Sequence, residues 1–490
     1  MRRLGGVFAL ALLSSAFGAC HKAPVAVRVV IHSAPQSLDP HLQNEVLTSA
    51  VLANLYDSLT EFDGGSGIKP ALASEWLNPE ERTWIFRLRK GVRFHDGRLL
   101  AADDVVFSLN RARNHPGSGL ASYLVEVESV RAVDPATVEI RTRRPFAALL
   151  VKLMPIAIVP RDAPQTITWP IGTGSYRPGR VSADRLDLVP VENGWRKEKG
   201  LLPLSFVFEG SSRRRVGKLL AGEAEIAADL SEDAVGPLRG SACCREEILP
   251  GSTVEYLRLS SIETPFRDLR VRQAIDLALD RSAYIAGAHH GMGQALGQLV
   301  VPGVFGFAPD LKATQRDLPR ARRLLAEAGY PSGFDVVLEY RSGRRADLVA
   351  AQLAEAGVRV KLRETRWTDL HPRLRRGEVG FYLGGVVAQT AEASDLLDGF
   401  VHTRDEARGY GVTNHSRYSN PKADELIEAA AASLVMIRRR ELLQEAMRVV
   451  MADLPIVPIA GLYQVYGVRK EIRFSPRLDG KYLGREISRR

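Results

Sequence analysis

Three observations in the sequence predict an α/β protein built as at least two lobes. The chain has 490 residues, well beyond the roughly 250–300 at which a single hydrophobic core stops growing. Between Phe334 and Leu362 an extended run (Phe334–Tyr340), a helical spacing (Ala346–Ala356) and a second extended run (Val358–Leu362) follow one another, the rhythm of a βαβ unit. The segment Thr83–Arg111 runs strand, turn, helix. Trp84, Phe86 and Leu88 alternate with Ile85, Arg87 and Arg89, which gives a strand one strongly apolar face.

The remaining elements follow in chain order. Val27–Ile31 reads as a first strand, and Gln36-Ser37-Leu38-Asp39-Pro40 as the loop that leaves it. From about residue 41 to 153 the chain forms a subdomain of hairpins and helices. Within it Lys90-Gly91 turns the chain, Val92-Arg93-Phe94 is a short second extended run, and Asp96-Gly97 turns again, the acid bonding local amides and the glycine free to take positive φ. Asp103-Asp104 then stands ahead of Val105, Val106, Phe107 and Leu109, where a helix N-terminus favours negative charge. Ile156–Pro160 and Gly172-Thr173-Gly174 return the chain to the main sheet, the glycines permitting close backbone approach. Val254–Leu259 is a strong strand candidate. After Pro265, a helix carries Val271, Ala274, Ile275, Ala278 and Leu279 on one face. Another helix is capped by Asp317, has Pro319 early, places Ala321, Leu324, Leu325 and Ala328 together, and stops at Gly329 and Pro331. A long helix around Arg438–Met451 precedes Leu454–Ile459, and Tyr463–Val468 is a strand that crosses back. The expected division is 1–19 signal, 20–26 tether, 27–258 first lobe with its subdomain at 41–153, 259–462 second lobe, and 463–490 return. No internal repeat or low-complexity tract interrupts it.

Hydrophobic residues at 45% and charged residues at 25% are those of an ordinary soluble protein. The net charge of +10 is spread among nearly as many acids, and clusters such as Arg213-Arg214-Arg215 and Arg438-Arg439-Arg440 read as solvated faces, so nucleic acid is not expected as a partner. The amino terminus gives the compartment. Arg2-Arg3 is a positive n-region, Leu4–Phe17 an apolar and small-residue h-region, and Gly18-Ala19-Cys20 a small-residue site ending in cysteine. No other stretch approaches the roughly 18 apolar residues of a membrane span. Cys243 and Cys244 are adjacent; two thiols are the simpler expectation, and a vicinal disulfide stays open for an oxidising compartment.

The Thr83–Arg111 segment, with Ala71-Leu72-Ala73-Ser74-Glu75-Trp76 before it, closely resembles the signature of the family 5 extracellular solute-binding proteins, the peptide, nickel and oligopeptide receptors of ABC importers. Further blocks match in order. They are Val133-Asp134 with Thr137–Ile140 and Pro145-Phe146, Ile171-Gly172-Thr173-Gly174-Ser175-Tyr176, Asn193-Gly194-Trp195, Gly222–Ile226, Pro265–Ile275 and Ala321–Tyr330. The resemblance implies a bilobal periplasmic-binding-protein (Venus-flytrap) fold with an extra subdomain in the first lobe, a solute held between lobes, and ABC permease subunits as partners. Resemblance to bacterial lipoproteins likewise implies lipidation of Cys20 and membrane anchoring outside the cytoplasm, although Phe17 stands where a lipobox usually has Leu.

No chemistry-bearing constellation accompanies these blocks. The histidines form no HExxH-like pair, His289-His290 beside Gly291 and Gly293 reads as a surface pair, and His95 belongs to its turn. The Gly-x-Ser-x-Gly nucleophile elbow is absent, and Gly64-Gly65-Ser66-Gly67 lacks the lysine of a phosphate-binding loop. No catalytic residue, metal or cofactor is therefore expected, and the chain is taken as a monomer. Peptide-binding relatives carry a "gW..D" block whose tryptophan lines the cleft and whose aspartate receives the peptide amino terminus. Leu383–Thr390 stands there, with Gly385 at the tryptophan and Ala388 at the acid; Asp395 or Asp398 is the substitute. Candidate ligand contacts are Ser37, Gly385, Val386, Gln389 and Tyr463. The expected function is capture of a peptide or peptide-like solute for a permease. A receptor for a nickel chelate, opine or oligosaccharide, and a retired receptor acting as an envelope interaction or sensory protein, stay open as alternatives.

Overall fold

The computed structural model describes residues 25–490 except 64–66, 342, 344 and 389; Cys20 and Gln389 thus lie outside the described residues. Its main sheet holds eleven strands among the described residues. In chain order they are β1 (Val27–Ile31), β2 (Tyr176–Val181), β3 (Arg185–Pro190), β4 (Leu204–Phe208), β5 (Ile226–Ala227), β6 (Cys244–Leu259), β7 (Gly293–Ala295), β8 (Phe334–Tyr340), β9 (Val358–Glu364), β10 (Phe381–Val387) and β11 (Ile456–Arg469). The spatial order is β9-β8-β10-β6-β11-β5-β1-β4-β3-β2, with β7 paired to β11 off this path. The βαβ unit read from the sequence is present: β8 and β9 pair in parallel, Phe334 opposite Val358, joined by the helix Arg345–Ala356.

The long strands β6 and β11 tie the two halves together. From Cys244 to Pro250 the first lies against Arg469–Tyr463, and from Val254 to Arg258 it lies against Gly461–Ile456 with β10 on its other edge. Between these stretches the register shifts, and the backbones close in. A Cβ on Gly251 would sit 2.8 Å from the Leu462 carbonyl oxygen. Only the second half of β6 reads as a strand in the sequence, because Pro250-Gly251 interrupts the apolar run.

On one side of this crossing, β1, β2 and β4 pack Val29, Tyr176 and Phe206 into a core with the helix Val46–Leu52. On the other side, Leu257, Leu259, Val457 and Ile459 face one core while Val254, Tyr256 and Ile456 face another, the period-two division of a two-sided sheet. The helix Leu269–Ala278 buries Val271, Ala274, Ile275 and Ala278 there, and Asp317 caps the helix Leu318–Glu327 by accepting from the Arg320 amide at 2.9 Å.

The signature segment forms an antiparallel sheet of its own, in the order 73–80, 83–88, 137–142, 127–134. Trp84, Phe86 and Leu88 are buried, with Val105 and Leu109 of the helix Ala102–Asn114 in the same core. Asp104 accepts from the Ala101 amide at 2.8 Å and the Arg161 amide at 3.0 Å, fixing the helix start.

Several expectations are corrected. Val92–Phe94 makes only an isolated bridge, Arg93 to Leu99. Ile156–Pro160 forms no strand, because its amides are taken elsewhere: Ile158 donates to the Asp57 carbonyl and Val159 to the Ser108 hydroxyl. Cys243 and Cys244 are joined as a vicinal disulfide. His289 is no surface residue; its side chain is 6% exposed, and the two ring nitrogens lie 2.7 Å from Glu255 and 3.3 Å from Glu232.

Candidate ligand-binding cleft

A cavity, part of it open to solvent, lies against the strand crossing. One wall comes from the helix Val46–Leu52 and the turn after it, from Met154–Ala157, and from the C-terminal stretch 477–485; the opposite wall is Ser252, Val387, Ala388 and Thr390.

The signature turn positions the first wall. The His95 amide donates to the Gly172 carbonyl at 2.8 Å, and the Gly172 amide donates back to His95 Nδ1 at 3.2 Å. Nε2 therefore carries the ring hydrogen and donates to the Gly174 carbonyl at 3.1 Å. Burial lowers the His95 pKa, and the neutral ring suits this role. Gly172 and Gly174 in turn lie flat on Asn54-Leu55; a Cβ on either would stand 2.1 and 2.4 Å from the Leu55 and Asn54 carbonyl oxygens. The next residues, Tyr56 and Asp57, line the cavity.

Each acid of this wall is engaged. Asp57 accepts from Thr173 Oγ1, Trp195 Nε1 and Arg196 Nη2, each at 2.9 Å. Glu61 accepts from Arg196 at 2.6 and 3.1 Å and has Lys69 at 3.3 Å. Burial alone would raise its pKa, but Arg196, Arg485 and Lys69 hold it below the usual value. Asp479 accepts a bidentate pair from Arg477 at 2.8 Å, and against its burial that guanidinium and Lys481 likewise lower its pKa.

Behind the wall, Arg111 at the end of the signature helix donates to both oxygens of Asp39 at 2.9 and 2.5 Å. Asp39 also accepts from the Ile167 and His41 amides. His41 donates through Nε2 to the Ala157 carbonyl at 2.8 Å and meets Arg111 at Nδ1; its burial pushes its pKa down to about 4. Ser37 caps this loop by accepting from the Asp39 amide at 2.9 Å.

The structure distributes the sequence candidates unevenly. Gly385 and Val386 sit on β10 opposite Glu255 and Val254, just before the lining residues Val387 and Ala388. Tyr463 pairs with Pro250 at the crossing and packs beside Met292 and Val465. Ser37 supports the wall from behind, and neither it nor Tyr463 lines the cavity. Asp395 and Asp398 pair with Lys152, at 3.9 and 3.0 Å. Sequence reasoning missed Asp57, Glu61, Arg196, Lys481 and Arg485; the one usable signal was the Asn193-Gly194-Trp195 block, whose tryptophan and following arginine both hold Asp57.

The model of the family "Bacterial extracellular solute-binding proteins, family 5 Middle" matches residues 67–408. This chain belongs to that family. As a family 5 solute-binding protein it is 26% identical over 482 residues to the dipeptide-binding protein of Escherichia coli, covering 90% of each chain. It is 27% identical over 477 residues to heme-binding protein A of Haemophilus influenzae, covering 87% of this chain and 85% of that one. Among solved structures, the periplasmic binding protein DppA of Helicobacter pylori in complex with the peptide STSA shares its fold with a TM-score of 0.81 at 23% identity, covering 95% of this chain and 98% of that one. The bilobal α/β architecture of this family 5 protein is thus shared over nearly its whole length.

Proposed function

We propose that this family 5 protein is the substrate-binding component of an ABC importer, lipid-anchored through Cys20 in the periplasm or cell envelope. It closes as a monomer on a peptide-like solute and presents the closed form to permease subunits, without catalysing a reaction. The observation that carries this is the cavity at the β6–β11 crossing, walled from both sides of the sheet. Relatives named for dipeptide and heme binding support a solute receptor. In this reading the first lobe is 27–258 with its subdomain at 41–153, the second 259–462, and 463–490 returns. The hinge falls where β6 and β11 change register, at Pro250–Val254 and Gly461–Tyr463. Closure works by differential affinity: contacts a solute makes only with both walls favour the closed form.

Thermal-shift screening against peptides, free amino acids, nickel chelates, opines and oligosaccharides tests the proposal. One class is expected to raise the melting temperature by several degrees through ligand linkage. If no class does, and envelope cross-linking recovers a partner other than a permease, the chain is a retired receptor instead.

A further inference from the structure

Among the described residues the cavity wall holds no open seat for an ammonium group, yet it holds one for a carboxylate. Its acids, Asp57, Glu61 and Asp479, already serve arginines, as described above. The two acids that follow the departing family block lie off the cavity lining, although Asp398 Oδ1 is buried without a hydrogen-bond partner among the described residues. Asp395 and Asp398 take the ammonium of Lys152, whose side chain is 9% exposed. The position at which the resemblance places the amine-anchoring aspartate is Ala388, itself on the wall. A ligand amine would have to share a carboxylate already neutralised by a buried cation, and a desolvated charge without its own counter-ion is strongly disfavoured.

The cations are arranged otherwise. Arg477 is taken by Asp479 and Glu486, and Arg485 lies 3.6 Å from Glu61 and 3.7 Å from Glu198. Lys481 lines the cavity and has no ion-pair partner among the described residues; the acid that feels its charge, Asp479, is already bidentate with Arg477. On the opposite wall the Thr390 hydroxyl is buried with no hydrogen-bond partner among the described residues. An ammonium and a hydroxyl thus remain for a ligand acceptor.

We propose that this cleft selects a peptide-like carboxylate whose amine is blocked or absent, with Lys481 as the seat of the carboxylate. The inference rests on the solute-receptor reading above.

Three dipeptide pools test it on the mature protein by native mass spectrometry and titration calorimetry: free, N-acetylated, and N-acetylated with a C-terminal amide. The acetylated acids are expected to bind at least about tenfold more tightly than the free dipeptides, and amidation to remove that advantage. Lys481→Met should weaken the acetylated acids by about tenfold or more and leave the amides unchanged. Ala388→Asp, which returns a carboxylate to the wall, should shift preference towards the free amines. Free dipeptides binding tightly while acetylation abolishes binding overturns the inference and leaves the receptor reading intact. Failure of all three pools also overturns it, and the thermal-shift panel then shows whether the receptor reading falls with it.

Discussion

The Lys152 ammonium lies 3.0 Å from the Asp398 carboxylate, and the two come from different cores: Lys152 from the helix Leu149–Lys152 beside the signature sheet, Asp398 from the segment that follows β10. Burial alone would drive the lysine towards neutrality, but Asp398 and Asp395 outweigh it and raise its pKa. The Ala148 amide donates to the Ala431 carbonyl at 3.3 Å, and Arg144 meets Glu428 at 3.3 Å, so the same two bodies touch along one edge. These contacts join the two bodies along that edge.

Lys152→Met removes this cation and leaves two buried acids facing an apolar side chain. Solute affinity is expected to fall by about tenfold or more, since the competent state becomes less populated. The urea stability of the protein should fall by about 3–5 kcal/mol, because Lys152 and Asp398 are both buried and the acids lose their cation. Calorimetric titration beside urea unfolding checks both.

Arg111→Met removes the cation of a second buried pair. Asp39 is fully buried and loses its bidentate partner, a change that costs about 3–5 kcal/mol because the charge stays behind. Urea unfolding should show that loss with or without solute.

Much of the fold was legible in the sequence. β1 and β8 begin and end where alternation placed them, and Trp84, Phe86 and Leu88 share one buried face as their spacing required. Asp317 and Gly329 punctuate their helix as read; Gly329 has φ of +92°. The cleft was less legible because its contacts join residues more than a hundred positions apart, such as Asp57 with Arg196 and Lys152 with Asp398. No periodicity encodes such a pairing. His289 was misread because its acids, Glu232 and Glu255, arrive from separate elements.

Gly174→Ala tests the close approach that the sequence did signal. Its Cβ would stand 2.4 Å from the Asn54 carbonyl oxygen, backbone against side chain, with no flexible group to yield. A loss of about 1–3 kcal/mol or more is expected, together with weaker solute binding as Tyr56 and Asp57 move.

His289 gives a pH prediction. Burial opposes its charge, but Glu232 and Glu255 raise its pKa to about 9, above the roughly 6.5 of an unfolded chain. Protonated His289 therefore stabilises the fold fully below about pH 6.5, and that contribution is lost as pH rises through about 9. The stability gap between wild type and His289→Gln, measured by urea unfolding, should be widest near pH 6 and shrink towards pH 10. A gap that widens with pH would contradict the assignment.

The most direct test of the central claim, that the two lobes close on a solute across the β6–β11 crossing, is small-angle X-ray scattering of the mature protein with and without a saturating solute from the screen. The pair-distance distribution is expected to lose its longest distances on binding, and Lys152→Met to need more solute for the same change. Superimposable profiles at proven saturation, with the lobes equally open or equally closed, would contradict it.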